Sequence, residues 1–251
     1  MRVLLSEDIW KFDLEAALKE ISAQRREQAL KFKHEQGQRL CVLAYQLLKE
    51  GLQQEYGITG NPIFEYNEHG KPSIVGHPEI FFNLSHCKEA AICVVNDQPI
   101  GVDVEAIREY KDGLAEYTMN ENELQQIKNS THPAATFIRL WTMKEATTKL
   151  IGTGISNDMK TVIDTLKYKY TTVERQKYIY TICANIKLLQ SEFWHGDFAV
   201  GVFLGTEIYE FTAFLRHTLT ACDKFVVGTV VGLHRLVEFL TEVVITLHEV
   251  T

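Results

Sequence analysis

Asp103 and Glu105 are the first pair in the chain whose spacing could do chemistry. They lie in Gly101-Val102-Asp103-Val104-Glu105, a stretch of strict apolar–polar alternation. Such alternation predicts a strand, on which residues spaced i, i+2 leave the same face about 6.5–7 Å apart at the backbone. Two carboxylates that close repel unless a proton or a cation lies between them, and a hard cation such as Mg²⁺ is the usual answer. Standing alone, the pair reads equally as two acids on a solvated strand face. A second cluster follows in Trp141-Thr142-Met143-Lys144-Glu145-Ala146-Thr147-Thr148-Lys149. Helical spacing puts Trp141, Glu145, Thr148 and Lys149 on one face, so Glu145 can supply a third carboxylate and Lys149 a cation one turn on, where phosphate oxygens would need it. Lys144 flanks them. Without the strand, Glu145 and Lys149 are an ordinary i, i+4 pair worth about 0.2–0.5 kcal/mol.

These segments resemble a known family. Gly101–Glu105, followed some forty residues later by Trp141–Lys149, looks like the paired signature of 4′-phosphopantetheinyl transferases. Upstream, Gly70-Lys71-Pro72 and Phe82-Asn83-Leu84-Ser85-His86 resemble two further motifs of the larger, surfactin-synthetase-activating (Sfp-like) branch. The resemblance runs over roughly residues 1–205 and leaves the tail outside. It implies Mg²⁺-dependent transfer of the phosphopantetheine arm of coenzyme A to a serine of an apo acyl or peptidyl carrier protein, with adenosine 3′,5′-bisphosphate as the other product.

By the same resemblance Asp103, Glu105 and Glu145 would hold the metal, and Glu145 would help deprotonate the serine. Lys149 and Lys144 would meet the pyrophosphate, while Lys71, Ser85 and His86 would line the nucleotide end of the pocket. Basic residues of the N-terminal helical region would bind the 3′-phosphate of coenzyme A. Arg25 and Arg39 fall on such positions, but another falls on Gln28, where Arg26 is the candidate replacement. Outside that context Arg25, Arg26, Lys31, Lys33 and Arg39 are a solvated helix face, Lys71 a loop lysine and His86 a structural histidine. Phosphoryl-type transfer needs charge neutralisation and placement more than covalent help, which suits carboxylates, lysines and a cation.

Those residues need elements to position them. Residues 1–5 predict a short strand. The Ala-, Leu-, Glu- and Lys-rich stretch from Asp13 to about Tyr56 predicts two helices broken at Gly37. A turn-rich section holds a short strand over Ile63–Tyr66. Ile80–Leu84, Ala90–Val95 and Ile100–Glu105 are strand-like. Asn120 with Glu123 has the form of a capping box, and Pro133 suits the first turn of a helix reaching Ile151 and ending at Gly152-Thr153-Gly154. Strands return over Thr165–Leu189. Asp197–Leu204 faintly echoes Ala90–Val95, a weak sign of two similar halves. The tail from about 205 has a helical apolar stripe through Val226, Leu233, Leu240 and Leu247, wide enough for core packing rather than a strict coiled-coil seam.

The resulting expectation is an α+β, pseudo-dimeric 4′-phosphopantetheinyl transferase fold: residues 1–100 and 101–205 as two similar α/β halves with the active site in the cleft between them, and 206–251 as a helical extension. A monomer is expected unless the tail self-associates. The 251 residues carry 26 Lys plus Arg against 33 Asp plus Glu, a net charge of −7 that argues against nucleic acid as a partner. Five scattered cysteines without a C-x-x-C pair point to a reducing compartment rather than a disulfide framework or zinc site. No stretch predicts a signal peptide or a membrane span, since the longest apolar run, Phe225–Leu233, is far shorter than about 20 residues. The expected location is cytoplasmic. Two rival readings are a different Mg²⁺-dependent phosphoryl transferase, disfavoured by the lack of a P-loop, and a non-catalytic module binding coenzyme A or a carrier protein.

Overall fold

The computed structural model describes residues 1–154 and 159–186. The expected Asp197–Leu204 strand, the tail stripe and the role of 206–251 lie outside the described residues. The N-terminal strand β1 (Arg2–Ser6) leads into three helices, α1 (Leu14–Glu20), α2 (Ala23–Leu30) and α3 (Glu35–Tyr56). This corrects the expectation of two helices broken at Gly37, which sits inside the first turn of α3. The breaks fall where side chains compete for the backbone: the Asp13 carboxylate accepts from Ala16 N, and the Ser22 hydroxyl accepts from Arg25 N to start a new helix. Gly57, left-handed at φ 67°, ends α3.

β2 (Phe64–Tyr66) and β3 (Pro72–Ile74) form a short hairpin whose tip carries Asn67–Lys71. β4 (Phe81–His86) and β5 (Ala91–Asn96) form the next hairpin, with β1 added antiparallel on the far side of β5, so the sheet order is β1-β5-β4. After a turn, β6 (Ile100–Ala106) starts a second antiparallel sheet, β6-β8-β7, completed by β7 (Tyr168–Glu174) and β8 (Tyr178–Asn185). Between β6 and β7 come α4 (Asp112–Thr118), α5 (Glu121–Asn129) and α6 (Pro133–Ile151). The capping box at Asn120 and Glu123 is present in full, and Pro133 occupies the first turn of α6 as expected.

Period-2 burial assigns each sheet face its partner. Cys93 and Val95 join Leu4 and Phe82 against the Leu40, Leu43, Leu47 and Leu48 stripe of α3. Ile92 and Val94, on the other face of β5, pack with Val102, Val104 and Ile182, so one apolar cluster joins the two sheets. The remaining face of β6 carries Gly101, Asp103 and Glu105 and is covered by α6, which leaves Asp103 only 4% exposed. α6 seats directly on that strand: a Cβ on Gly101 would lie 2.0 Å from the Ala146 carbonyl oxygen and 2.6 Å from Leu150 N.

β4 and β6 also meet edge to edge, through side chains rather than a ladder. The Asn83 carboxamide oxygen accepts from Val102 N at 3.1 Å, and the Ser85 hydroxyl accepts from Val104 N at 3.2 Å. Two side chains thus satisfy backbone donors that would otherwise be buried unpaired. Of the cysteines, Cys41, Cys87, Cys93 and Cys183 are buried and unpaired, and no described helix is long and apolar enough to cross a membrane.

Candidate functional site

The covered face of β6 and the facing stripe of α6 converge on one cluster. Asp103 Oδ1 accepts from Lys149 Nζ at 2.6 Å and from the Ser85 hydroxyl at 2.8 Å, and Lys149 Nζ also reaches Ser85 Oγ at 3.0 Å. Asp103 Oδ2 is buried without a hydrogen-bond partner, the one such side-chain atom among the described residues. Leaving a carboxylate oxygen desolvated and unpaired costs free energy, so the atom calls for a cation or a donor.

Asp103, Glu105, Glu145, Lys149, His86, Ser85 and Arg25 line a cavity of about 360 Å³. Burial, reinforced by the Asp103 charge, pushes the Glu145 carboxyl up to about 7 despite the opposing Lys149. Burial and Asp103 push Glu105 up as well, against Arg108, Lys149 and a hydrogen bond from Trp141. Three acidic side chains lining one cavity fit a hard divalent cation by their donor chemistry, and the partnerless Asp103 Oδ2 fits it too. They are not already closed into a ligand cluster: among the described residues no group of three or more His, Cys, Asp or Glu is gathered for a metal ion. Lys149 is the cation on Asp103 instead.

A second cavity of about 340 Å³ shares Arg25, Leu84, Glu145 and Lys149 with the first, and adds Gln28, Phe64, Tyr66, Lys71 and Gly152. Lys71 Nζ donates to the Leu150 carbonyl at 2.7 Å while the Asn67 carboxamide nitrogen donates to the Gly152 carbonyl at 3.1 Å, so the β2–β3 tip caps the C-terminus of α6. Burial lowers the Lys71 ammonium below its ordinary range. His86 is pulled down to about 4 by burial and by Arg25 and Lys149, which keeps it neutral at pH 7. Arg25, Glu145 and Lys149 thus line both cavities, Asp103 and Glu105 only the first and Lys71 only the second.

Asp103, Glu105, Glu145, Lys149, Ser85, His86, Lys71 and Arg25 are thus brought together, and two predicted site residues are not. Lys144 has no exposed surface; its Nζ donates to Glu123 at 2.8 Å and to the Met159 carbonyl at 2.6 Å. It lies about 100° around the helix from Glu145, on the Phe137–Leu140 stripe that packs against Ile127 of α5. Arg39 stands outside both cavity linings: it pairs with Glu35, donates to the Phe12 carbonyl at 2.7 Å, and lies over the Trp10 and Phe12 rings. Arg26 does not stand in at Gln28, since its guanidinium is turned to the Leu18 and Lys19 carbonyls at the end of α1. Gln28 itself is at the cavity wall, accepting from Arg25 Nη1 at 2.9 Å. Asn83 and Glu123 were not singled out for the roles they have, though the Glu123 carboxylate that closes the capping box through Asn120 N is also the partner of Lys144.

The family model of the 4′-phosphopantetheinyl transferase superfamily matches residues 99–202. Among curated proteins, the chain is 30% identical over 139 residues to "4′-phosphopantetheinyl transferase Sfp" of Bacillus subtilis (strain 168), covering 54% of this chain and 62% of the relative. It is 36% identical over 117 residues to "4′-phosphopantetheinyl transferase gsp" of Aneurinibacillus migulanus, covering 45% and 48%. It is 35% identical over 105 residues to "4′-phosphopantetheinyl transferase HetI" of Nostoc sp., covering 39% and 44%. The matched stretch spans less than two thirds of the length of these relatives.

Proposed function

We propose, from the similarity to the 4′-phosphopantetheinyl transferase superfamily and to its Sfp member, that this chain transfers the phosphopantetheine arm of coenzyme A to a serine hydroxyl of an apo acyl or peptidyl carrier protein. The observation that carries the proposal is one cavity lined by Asp103, Glu105, Glu145, Lys149 and Arg25, in which Asp103 Oδ2 is buried without a partner. A binding module would need no such balance of acids and bases.

Asp103, Glu105 and Glu145 would hold Mg²⁺, which when bound neutralises charge on the pyrophosphate. Glu145, on the cavity wall with Asp103 and Lys149, takes the proton of the carrier serine. The serine oxygen then bonds to the pantetheine-side phosphorus as the bond to the bridging oxygen breaks, and adenosine 3′,5′-bisphosphate leaves. Lys149, Lys71 and Arg25 meet the ligand's phosphate charges, and neutral His86 lines the wall with Ser85. Lys144 and Arg39 support the fold and take no part in this reading. We also propose that the two three-stranded halves form the site as a monomeric, cytoplasmic pseudo-dimer.

The test is intact-protein mass spectrometry of an apo acyl carrier protein incubated with the protein, coenzyme A and Mg²⁺, with an EDTA control. A gain of one phosphopantetheine arm that EDTA abolishes is the expected result. No gain on several carriers, with coenzyme A bound, leaves a binding module in its place.

A further inference from the structure

Lys149 stands beside the place where the site's chemistry calls for a metal ion: it holds Asp103 Oδ1, and Oδ2 is the oxygen left without a partner. Its ammonium is the counter-ion of Asp103 at 2.6 Å, is braced by Ser85 at 3.0 Å, and lies on the wall shared by both cavities. Asp103 Oδ1 already accepts two short bonds, from Lys149 and from Ser85, while Oδ2 is buried and unpaired. Arg25 lines the same cavity, and Arg108 pairs with Glu105 at 3.3 Å from an exposed position. A divalent cation entering this arrangement would meet an ammonium in contact with one of its own ligands, and like charges at that distance oppose each other. Lys149 has a flexible stem and a partly exposed side chain, so its ammonium can swing from Asp103 to an oxyanion lying on the shared wall.

We infer that Lys149 is a resident counter-ion that blocks divalent-cation binding at Asp103 until a pyrophosphate-bearing ligand draws it away. Anionic ligand and cation therefore load as a coupled pair, and the ligand-free protein is poor at holding the metal alone. The coupling is reciprocal, as any linkage between two binding equilibria must be. The inference rests on the transferase reading of the site and adds an order of assembly to it.

The experiment is Mn²⁺ binding, followed by electron paramagnetic resonance of the free ion, on the full chain with and without coenzyme A. The wild type should bind Mn²⁺ weakly alone and about tenfold or more tightly with saturating coenzyme A. Lys149→Met should bind Mn²⁺ alone about tenfold or more tightly than the wild type, and should lose most of the gain from coenzyme A. Lys71→Met removes another cation of the same space, one bonded to the Leu150 carbonyl and not to a carboxylate, and should leave Mn²⁺ binding in the absence of coenzyme A near the wild-type value. Equal tightening by both substitutions would show a diffuse charge effect and overturn the counter-ion role. Mn²⁺ binding by Lys149→Met no tighter than by the wild type would overturn it as well. If the wild type modifies the carrier protein while those Mn²⁺ patterns fail, the inference alone falls. If neither coenzyme A nor Mn²⁺ binds any form, the transferase reading falls with it.

Discussion

Replacing Gly101 by alanine sets two effects of opposite sign against each other. Glycine in a strand interior costs roughly 0.5–1 kcal/mol of backbone entropy, so propensity alone predicts that Gly101→Ala stabilises the protein. Packing predicts the reverse. The new Cβ would lie 2.0 Å from the Ala146 carbonyl oxygen, and contacts below 3.0 Å are essentially never tolerated, so α6 must retreat from β6 by 1.0 Å or more, the difference between the two. Both clashing atoms are backbone and cannot rotate away. Overpacking of this kind costs about 3 kcal/mol, so the clash wins by about 2 kcal/mol or more after the entropy gain. The same retreat shifts the Glu145–Lys149 face of α6 relative to Asp103 on β6, and a 1 Å misplacement of reacting groups costs about a hundredfold in rate. Urea unfolding should show a midpoint lower by about 1 M for a slope near 2 kcal/mol per M, and the initial rate of carrier modification should fall about a hundredfold. A midpoint equal to or above that of the wild type, with unchanged rate, would refute the claim that α6 is positioned by contact with this glycine.

Four further outcomes follow from the site. Glu145→Gln should abolish carrier modification yet raise the thermal midpoint at pH 8 and leave it near the wild-type value at pH 4; a carboxyl raised to about 7 holds an extra proton in the folded state, so its contribution to stability declines as pH rises from about 4.5 to 7, and equal midpoints at pH 8 would contradict this. His86 has the opposite sign, since with a folded value of about 4 it binds fewer protons than the unfolded chain up to about 6.5; the stability of the wild type relative to His86→Gln should therefore climb across that window in urea melts, and a flat difference would remove the burial argument. Lys144→Ala should cost about 3–5 kcal/mol by leaving Glu123 buried and unpaired, and the folded fraction should bind coenzyme A as the wild type does; weakened binding in calorimetry would return Lys144 to the pocket. Arg25→Ala should weaken coenzyme A about tenfold or more, the loss of a charge-assisted contact, whereas Arg39→Ala should not change its dissociation constant, and a matching loss in both would place Arg39 at the ligand.

What the sequence made legible divides along a physical line. Alternation and helical spacing are local, and they located β6, β4 and α6 to within a residue or two, together with the facing sets Gly101–Asp103–Glu105 and Glu145–Lys149. The capping box was legible for the same reason, because its partners are three residues apart. Long-range competition for a side chain left weaker marks. Lys144 follows Phe137 and Leu140 by helical steps, so its place on the apolar stripe was readable, but its partner Glu123 is 21 residues away and already spoken for as a capping residue. Arg39 and Arg26 are basic residues in a helical region, and nothing local says that backbone carbonyls of Phe12, Leu18 and Lys19 take their guanidinium groups. Gly37 does not break α3, because glycine weakens a helix by only about 1 kcal/mol, a cost tertiary packing overrides, whereas Ser22 starts a new helix by offering its hydroxyl to the backbone. The same distinction bears on the site. Residue types near Asp103 foretell that a cation belongs there, while only the fold shows that Lys149 has taken that place and must be moved for another to enter.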